Sequence, residues 1–291
     1  MHLFEDRGVV LFDAAMGTAL LSAGQPKGTG SEEMTNSAPE IVLNIHLENI
    51  KAGSDVVTSN TFGITQMMMR GEKDSAIKTL EKAVRLAKKA ATDSDREVFA
   101  CFDIGPSGAL LGSLGDTSYE AAEELFCEQA KAGEHAGADF IFLETFGDPE
   151  EFACAARAAC KASSLPVLGT MTFEEGGRSY MGASPEDLIR ISHEEKLAAT
   201  GLNCTLTPGE MIPIITKILA LADGLPIIAQ PNAGRPVYEK GKAVYKTSDE
   251  AFIAGAEKLI SLGVSGIGGC CGTTPAIISE IRVIIDRRYK K

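Results

Sequence analysis

Eight short apolar runs, each followed by a segment of helical periodicity, constrain the fold of this sequence more than any other feature. Several runs are apolar almost throughout, as expected of parallel strands buried on both faces. Alternation of strand and helix is typical of a parallel α/β sheet, and a count of eight indicates a closed barrel. The runs cover residues 9–13, 55–61, 97–103, 139–145, 166–173, 198–204, 226–232 and 264–270.

The length of the chain agrees with a single barrel. A (β/α)8 barrel typically needs about 250 residues, and this chain has 291. Hydrophobic residues make up 44% and charged residues 23%, the balance of a folded protein with a substantial core. Because no linker or low-complexity tract divides the sequence, we predict one (β/α)8 TIM-barrel domain over residues 1–291.

Helix starts and long connections mark the rest of the architecture. Five helix starts carry an N-cap residue followed three positions later by an acidic one; the predicted caps are Ser37, Thr117, Asp148, Thr207 and Thr247. Two connections, 14–37 and 233–247, are longer than the fold needs. Both follow strands, on the face where such barrels place binding loops, so we expect them to cover a site.

Charge and segment composition exclude several roles. The net charge is −12, the opposite of what a nucleic-acid surface requires. No stretch is long and apolar enough to span a bilayer, and the first residues lack the pattern of a signal peptide. We therefore predict a cytoplasmic protein, in which the seven cysteines remain thiols.

Three cysteines fall where two predicted strands end. Cys204 ends the sixth run, while Cys270 and Cys271 end the eighth, so one rim of the barrel would carry all three. Thiolates this close repel one another unless a cation binds them, and zinc suits soft sulfur ligands. Three protein ligands would leave a fourth position open, as in catalytic zinc sites. The alternative is that all three are small buried packing residues.

The strand-end carboxylates, the histidines and the other cysteines are less specific indicators of function. Asp13 and Glu144, also at strand ends, suit ammonium binding or acid–base chemistry, although either could cap a neighbouring helix. The four histidines lie in predicted helices or at the N-terminus and are interpreted as surface or hydrogen-bonded residues. The remaining cysteines are interpreted as packing residues; these are Cys101, Cys127, Cys154 and Cys160.

Four motifs together resemble the homocysteine S-methyltransferase family. They are FDAAMGT at 12–18, SNTFG at 59–63, GLNC at 201–204 and GGCCGTTP at 268–275, so the resemblance covers nearly the whole chain. The cysteine pair with an upstream Asn-Cys is the most specific part. Within the family, the sequence is most similar to the homocysteine-binding module of cobalamin-dependent methionine synthase. Gly272 argues against the S-methylmethionine-using branch, which has Arg at this position. Ala14 departs from the glycine usual after the aspartate of the first motif.

The resemblance implies a complete set of site residues. Cys204, Cys270 and Cys271 would bind Zn²⁺, and the sulfur of homocysteine would take the open position. Asp13 and Glu144 would help hold the amino acid end of the substrate, and loop amides near Ala15 and Met16 would face its carboxylate. Asn232 would be the fourth zinc ligand when substrate is absent.

The same resemblance implies methyl transfer to a zinc-bound thiolate, giving methionine. The expected donor is a methyl-corrinoid (methylcobalamin) on a separate protein or on further cobalamin and folate domains, because none follows Lys291 in this sequence. One alternative keeps the barrel and zinc but uses betaine, S-methylmethionine or S-adenosylmethionine. Another is a zinc- or thiol-binding module without catalysis.

Overall fold

Eight parallel strands form the barrel wall in this computed structural model, which describes residues 3–4, 7–112, 115, 117–239 and 242–289. Each predicted run contains most or all of one wall strand. Two further strands, β8 (Val237–Glu239) and β9 (Lys242–Val244), pair as an antiparallel hairpin. The wall strands are β1 (Val10–Leu11), β2 (Val56–Thr58), β3 (Phe99–Ile104), β4 (Phe140–Phe146), β5 (Val167–Met171), β6 (Ala199–Asn203), β7 (Ile227–Gln230) and β10 (Gly266–Ile267).

The order of the wall strands is β1-β10-β7-β6-β5-β4-β3-β2, so chain neighbours are sheet neighbours around the barrel. The predicted (β/α)8 barrel is therefore confirmed. Among the described residues, no helix is both long and apolar enough to cross a membrane. The helices are α1 (Met16–Ser22), α2 (Met34–Ser37), α3 (Pro39–Ala52), α4 (Ile64–Met69), α5 (Lys73–Thr92), α6 (Tyr119–His135), α7 (Pro149–Ala162), α8 (Pro185–Glu194), α9 (Pro208–Leu221), α10 (Asp249–Leu262) and α11 (Pro275–Tyr289).

The two faces of each strand build two separate cores. Side chains such as Val10, Phe12 and Phe142 point inward and form one buried cluster, in which the rings of Phe12 and Phe142 lie 5.8 Å apart. Alternate residues, such as Leu11 and Leu143, pack outward in a second cluster with the helices. Because successive strand residues face opposite sides, a wall strand must be apolar at nearly every position, which explains the continuous runs in the sequence.

The barrel closes between β1 and β2 through a buried carboxylate. The Asp55 amide donates to the Leu11 carbonyl over 2.6 Å, and Oδ2 of Asp55 accepts the Leu11 amide over 2.9 Å. Arg7 and Arg282 both donate to the same carboxylate, at 2.9 Å and 3.1 Å. This contact between β1 and β2, the seam of the barrel, lies at the end of the barrel opposite the cysteines.

The predicted helix caps are correct in part. Asp148 and Thr207 accept hydrogen bonds from the first turns of α7 and α9. Ser118 and Ser248 cap α6 and α10, one residue later than predicted, because adjacent hydroxyl residues leave the starting position ambiguous. Ser37 was predicted to cap α3, but it ends α2 and donates its hydroxyl to the carbonyl of residue 33.

Two side chains, Cys160 and His46, lie in environments other than those predicted from the sequence. Cys160 is exposed on α7, so it is not a packing residue, unlike the buried Cys101 and Cys154. His46 of α3 is fully buried, and neither ring nitrogen has a hydrogen-bond partner among the described residues. The expectation of a surface or hydrogen-bonded residue is therefore wrong for His46, because α3 turns that position toward the protein interior. The remaining described histidines are exposed, and residue 2 lies outside the described residues.

Candidate active site

Three cysteine side chains lie together at the carboxyl end of the barrel. Cys204 directly follows β6, and Cys270 and Cys271 come shortly after β10; these two strands flank β7. Their Sγ atoms all lie within 4.8 Å of one another, and those of Cys204 and Cys271 are 4.0 Å apart. The fold therefore brings together the three residues that the sequence assigned to a shared metal.

Backbone turns present these sulfur atoms. Cys204 and Thr205 both have positive φ angles, 63° and 56°, which residues with a Cβ seldom adopt. The Cys204 amide donates to the Gln230 carbonyl over 3.0 Å, and the Cys270 amide donates to the Pro231 carbonyl over 2.8 Å. Both turns are thus anchored to the end of β7, which lies between them.

The three thiols hold their protons unequally. Hydrogen bonds from Cys204 and Cys270 lower the pKa of Cys271 to about 3. Hydrogen bonds to Cys204 and Cys271 raise the pKa of Cys270 well above its usual range. A hydrogen bond with Cys270 lowers the pKa of Cys204, but its hydrogen bond with Cys271 and its burial outweigh this and raise the pKa to about 11. The hydrogen bonds among the thiols thus favour the thiolate at Cys271 over the other two, and a cation would favour ionisation of all three.

The sulfur cluster fits a tetrahedral zinc ion. Zinc binds thiolate at about 2.3 Å, which requires ligand sulfurs roughly 3.8 Å apart in a tetrahedron. The 4.0 Å between Cys204 and Cys271 is close to that separation. Sulfur donors also favour zinc over the hard cations calcium and magnesium.

Asn232 lies beside the cysteine pair. Its neighbours Pro231 and Ala233 hydrogen-bond to the backbones of Cys270 and Cys271, over 2.8 Å and 2.9 Å. The Asn232 side chain is buried, and its Oδ1 has no hydrogen-bond partner among the described residues. Since buried polar atoms normally have partners, this oxygen is an unpaired acceptor on a residue whose chain neighbours bond to the cysteine pair.

Asp13 and Glu144 line the same cavity as the cysteines. The two oxygens of Asp13 accept hydrogen bonds from Thr58, at 2.8 Å from its amide and 2.9 Å from its hydroxyl. Oε1 of Glu144 accepts a hydrogen bond from Nδ2 of Asn203 over 3.0 Å. Burial raises the pKa of Asp13 to about 7 and that of Glu144 to about 8, so a nearby cation would favour the ionised form of both.

The loop after β1 was expected to direct its backbone amides at a carboxylate, but one of these amides already has an acceptor. Ala15 and Met16 line the cavity, but the Ala15 amide donates to the hydroxyl of Thr273 over 3.2 Å. Met16 begins α1, where backbone amides lack acceptors within the helix. Ala14 has a negative φ, and its amide donates to Oδ1 of Asn49, so this loop does not need the glycine usual in the family.

The cavity measures about 520 Å³ and is enclosed partly by the two long connections. The first contributes residues such as Met16, Leu21 and Glu32, and the second contributes Tyr245, as expected of covering loops. Among the described residues that line it there is no Lys, Arg or His, whereas four carboxylates do line it. This imbalance makes the cavity favourable for cationic groups.

Several cavity residues were missed by the sequence interpretation. Asp103 ends the third apolar run, so the criterion that selected Asp13 and Glu144 could also have selected it. Gln230 ends β7 and lines the cavity, and its Oε1 has no partner among the described residues. Tyr245 comes from a long connection without periodicity, where no sequence signal distinguishes it.

Comparison with known proteins identifies the family. The family model described as homocysteine S-methyltransferase matches residues 10–285. The chain belongs to this family. It is 31% identical to methionine synthase from Mycobacterium tuberculosis over 95% of its own length, and it spans 24% of that relative. The predicted family and the predicted enzyme class, a homocysteine S-methyltransferase, are thereby confirmed.

Two further relatives extend the comparison. Selenocysteine Se-methyltransferase from Brassica oleracea var. italica is 27% identical, with 98% of this chain and 92% of the relative covered. The crystal structure of the metallated homocysteine methyltransferase MmuM from Escherichia coli superposes with a TM-score of 0.81, covering 97% of this chain and 98% of the other. At 21% identity, the structural similarity to MmuM supports the fold.

Proposed function

We propose that this chain binds zinc through Cys204, Cys270 and Cys271 and methylates the thiolate of homocysteine, giving methionine. The observation that carries the proposal is the pairing of a three-sulfur cluster with buried carboxylates in one cavity. The sulfur cluster suits a thiol-binding metal, and the carboxylates suit an ammonium group. A small amino acid with a thiol side chain carries both groups, a few bonds apart.

Each residue then has a definite task. The three cysteines would hold a zinc ion with one position left for the substrate sulfur, and this ion would favour the thiolate, which is the nucleophilic form. Asp13 and Glu144 orient the substrate through its ammonium group. The start of α1 near Ala15 and Met16 would face its carboxylate, and Asn232 would be the fourth zinc ligand when substrate is absent.

The transfer itself needs no protein nucleophile. A new bond forms between the substrate sulfur and the methyl carbon, while the bond from that carbon to the donor breaks and the donor keeps the electron pair. The product is a thioether, a weaker ligand than thiolate, and it departs. The protein contributes alignment of the reacting atoms and removal of the thiol proton.

For the donor, we propose a methyl-corrinoid held by another domain or protein. Large apolar side chains are exposed on the segments that follow wall strands, among them Leu21, Phe62, Leu110, Tyr180 and Tyr238. Two of these side chains, Leu21 and Phe62, line the cavity, and exposed apolar groups beside a cavity are typical of a surface that meets a macromolecule. The chain also spans only about a quarter of the methionine synthases that it matches.

A small cationic donor is the second candidate. The cavity has four lining carboxylates and no basic side chain among the described residues, which favours a sulfonium or quaternary ammonium compound such as S-methylmethionine, S-adenosylmethionine or betaine. Either donor requires reduced cysteines. The seven free thiols suit a reducing compartment, and we therefore propose the cytoplasm.

Zinc content is the first test. Elemental analysis of the reduced protein should give about one zinc per chain, and Cys271→Ser should lose most of it. Cys160→Ser, which changes an exposed cysteine far from the cluster, is the matched control and should keep its zinc. Absence of zinc from reduced wild-type protein would overturn the mechanism.

Donor assays with the zinc-loaded protein follow. Methionine formed from homocysteine and methylcobalamin supports the corrinoid donor, whereas turnover with only the small cationic donors selects the second candidate. Zinc binding without turnover of any donor would instead favour a non-catalytic module.

A further inference from the structure

Asp103 is a buried carboxylate of the cavity to which the proposed function gives no task. It lies at the carboxyl end of β3, is 3% exposed, and lines the cavity together with Asp13 and Glu144. Its Oδ1 has no hydrogen-bond donor within reach among the described residues. A buried carboxylate oxygen without a donor is unusual enough to need an explanation.

The backbone of Asp103 is fixed on both sides. Its amide donates to the hydroxyl of Ser59 over 3.2 Å, and its carbonyl accepts the hydroxyl of Thr61 over 2.7 Å. These contacts fix the strand end from which the carboxylate reaches the cavity. The backbone from which the carboxylate extends is therefore held by the protein itself.

The neighbouring charges indicate which ligand would satisfy this oxygen. Burial and the neighbouring Glu144 carboxylate both raise the pKa of Asp103, so a cation beside this pair would favour its ionised forms. Both oxygens of Asp13 already accept hydrogen bonds from Thr58. Among the described lining residues there is no Lys, Arg or His to balance the four carboxylates, which are these three and Glu32. An ammonium group supplies both the missing charge and the missing donors.

We propose that Asp103 is a third carboxylate ligand of the substrate ammonium group, accepting one of its N–H bonds through Oδ1. This inference rests on the proposed function and adds a specificity-determining residue to it. Asp103 then selects thiols that carry an α-ammonium group over thiols of the same length that lack one. Glu144 binds the same group from the side of the cysteine cluster, and Asp13 from β1.

The test compares two ligands in two proteins. Binding to the zinc-loaded enzyme is measured by calorimetry for homocysteine and for 4-sulfanylbutanoate, which is homocysteine without its amino group. The ratio of the two dissociation constants measures the contribution of the ammonium group. In Asp103→Asn, this ratio should fall about 10- to 100-fold, the range for one hydrogen bond between charged groups. Binding of 4-sulfanylbutanoate should not weaken.

Controls separate a local effect from a general one. Glu151→Gln also neutralises a carboxylate that is 2% exposed, but Glu151 accepts the amide of Ser107 and does not line the cavity. The ratio of the two dissociation constants in Glu151→Gln should equal that of the wild type. Asp103→Ser serves as a second variant if Asp103→Asn folds poorly, and zinc content and thermal unfolding are recorded for every protein.

The outcomes distinguish the two proposals. If the wild type prefers homocysteine and Asp103→Asn or Asp103→Ser prefers it equally, the role of Asp103 is overturned while the proposed function stands. If the wild type binds both thiols equally, the cavity has no ammonium site, and both this inference and the substrate assignment fail.

Discussion

Nδ2 of Asn203 donates a hydrogen bond of 3.0 Å to Oε1 of Glu144, which joins the cysteine side of the cavity to its carboxylate side. The same amide group lies 3.9 Å from the sulfur of Cys270, and Oδ1 accepts the Thr145 amide over 2.9 Å. Thr145 has a positive φ of 62°. One fully buried side chain thus fixes the distance between the proposed metal and ammonium sites and stabilises a strained backbone position between them.

Asn203→Leu should therefore impair function beyond its effect on stability. Leu is similar in size but cannot donate to Glu144 or accept from Thr145, so Glu144 loses its orientation. We expect a loss of about 10- to 100-fold in kcat/KM, the usual cost of misplaced binding groups, with about 1–3 kcal/mol of lost stability. Steady-state kinetics and denaturant unfolding measure the two effects.

Thr200→Val is the matched control, because it removes a buried polar group of β6 that bonds to Ser192 and to the Gly169 carbonyl, away from the cavity. It should lose stability without a comparable loss of kcat/KM. Equal losses in both variants would contradict a positioning role for Asn203.

Gly272 should not tolerate a side chain. Its φ is +83°, and a Cβ there would lie 2.3 Å from Cγ of Tyr245, whose ring covers the turn after Cys271. Gly272→Ala should therefore displace Tyr245 or the cysteine turn and lower zinc affinity. Competition with a chromogenic chelator measures that affinity.

Gly263→Ala is the control that separates the cost of a left-handed backbone from that of a steric clash. Gly263 has a φ of +102°, but a Cβ there meets no atom within 4 Å. Both variants should lose roughly 1–2 kcal/mol of stability from the left-handed backbone, whereas only Gly272→Ala should bind zinc more weakly. Unchanged zinc affinity in Gly272→Ala would show that the contact with Tyr245 is unimportant.

Asp55→Asn should open the seam of the barrel. Asp55 is buried and accepts hydrogen bonds from the Leu11 amide, Arg7 and Arg282. Loss of its charge leaves the arginines without their shared partner, which typically costs about 3–5 kcal/mol for a buried ion pair. Chemical unfolding should show this loss, while zinc content per folded chain stays at the wild-type value because the cysteines lie at the other end.

Arg190→Gln is a suitable comparison for Asp55→Asn. It removes an exposed ion pair with Glu194 on α8, measured at 2.9 Å. Such pairs contribute less than about 1 kcal/mol. A loss in Asp55→Asn no larger than in Arg190→Gln would contradict the role assigned to the seam.

His46 should make the protein sensitive to mild acid. Burial lowers its pKa to about 4 from an ordinary value of 6.5, so the unfolded chain gains its proton first as the pH falls. The contribution of neutral His46 is complete above about pH 6.5 and is lost progressively between 6.5 and 4, by on the order of 3 kcal/mol in total. His46→Leu, which does not titrate, should lack this loss.

The measurement is the free energy of unfolding of both proteins between pH 4 and 7. Asp13 and Glu144, whose pKa values are raised, give the opposite slope in both proteins and cancel in the difference. A constant difference between wild type and His46→Leu over this range would contradict the assignment.

The sequence by itself determined the number of wall strands, their order in the chain and the rim at which the site forms, but not the hairpin of β8 and β9. Continuous apolar runs reveal strands buried on both faces, and parallel strands in a closed barrel place all their carboxyl ends at one rim. The positions of Cys204, Cys270, Cys271, Asp13 and Glu144 follow directly from that geometry. Their presence in one cavity was therefore predictable from residue spacing together with the fold.

Only the tertiary structure decided which of these groups interact. The hydrogen bonds of Asn203, the contact of Tyr245 with Gly272 and the free oxygen of Asp103 all join residues from different strands and loops. Burial of His46 likewise depends on how α3 packs. Periodicity records whether a residue faces inward, but the orientation of a side chain and the partners of its polar atoms depend on packing between segments distant in sequence.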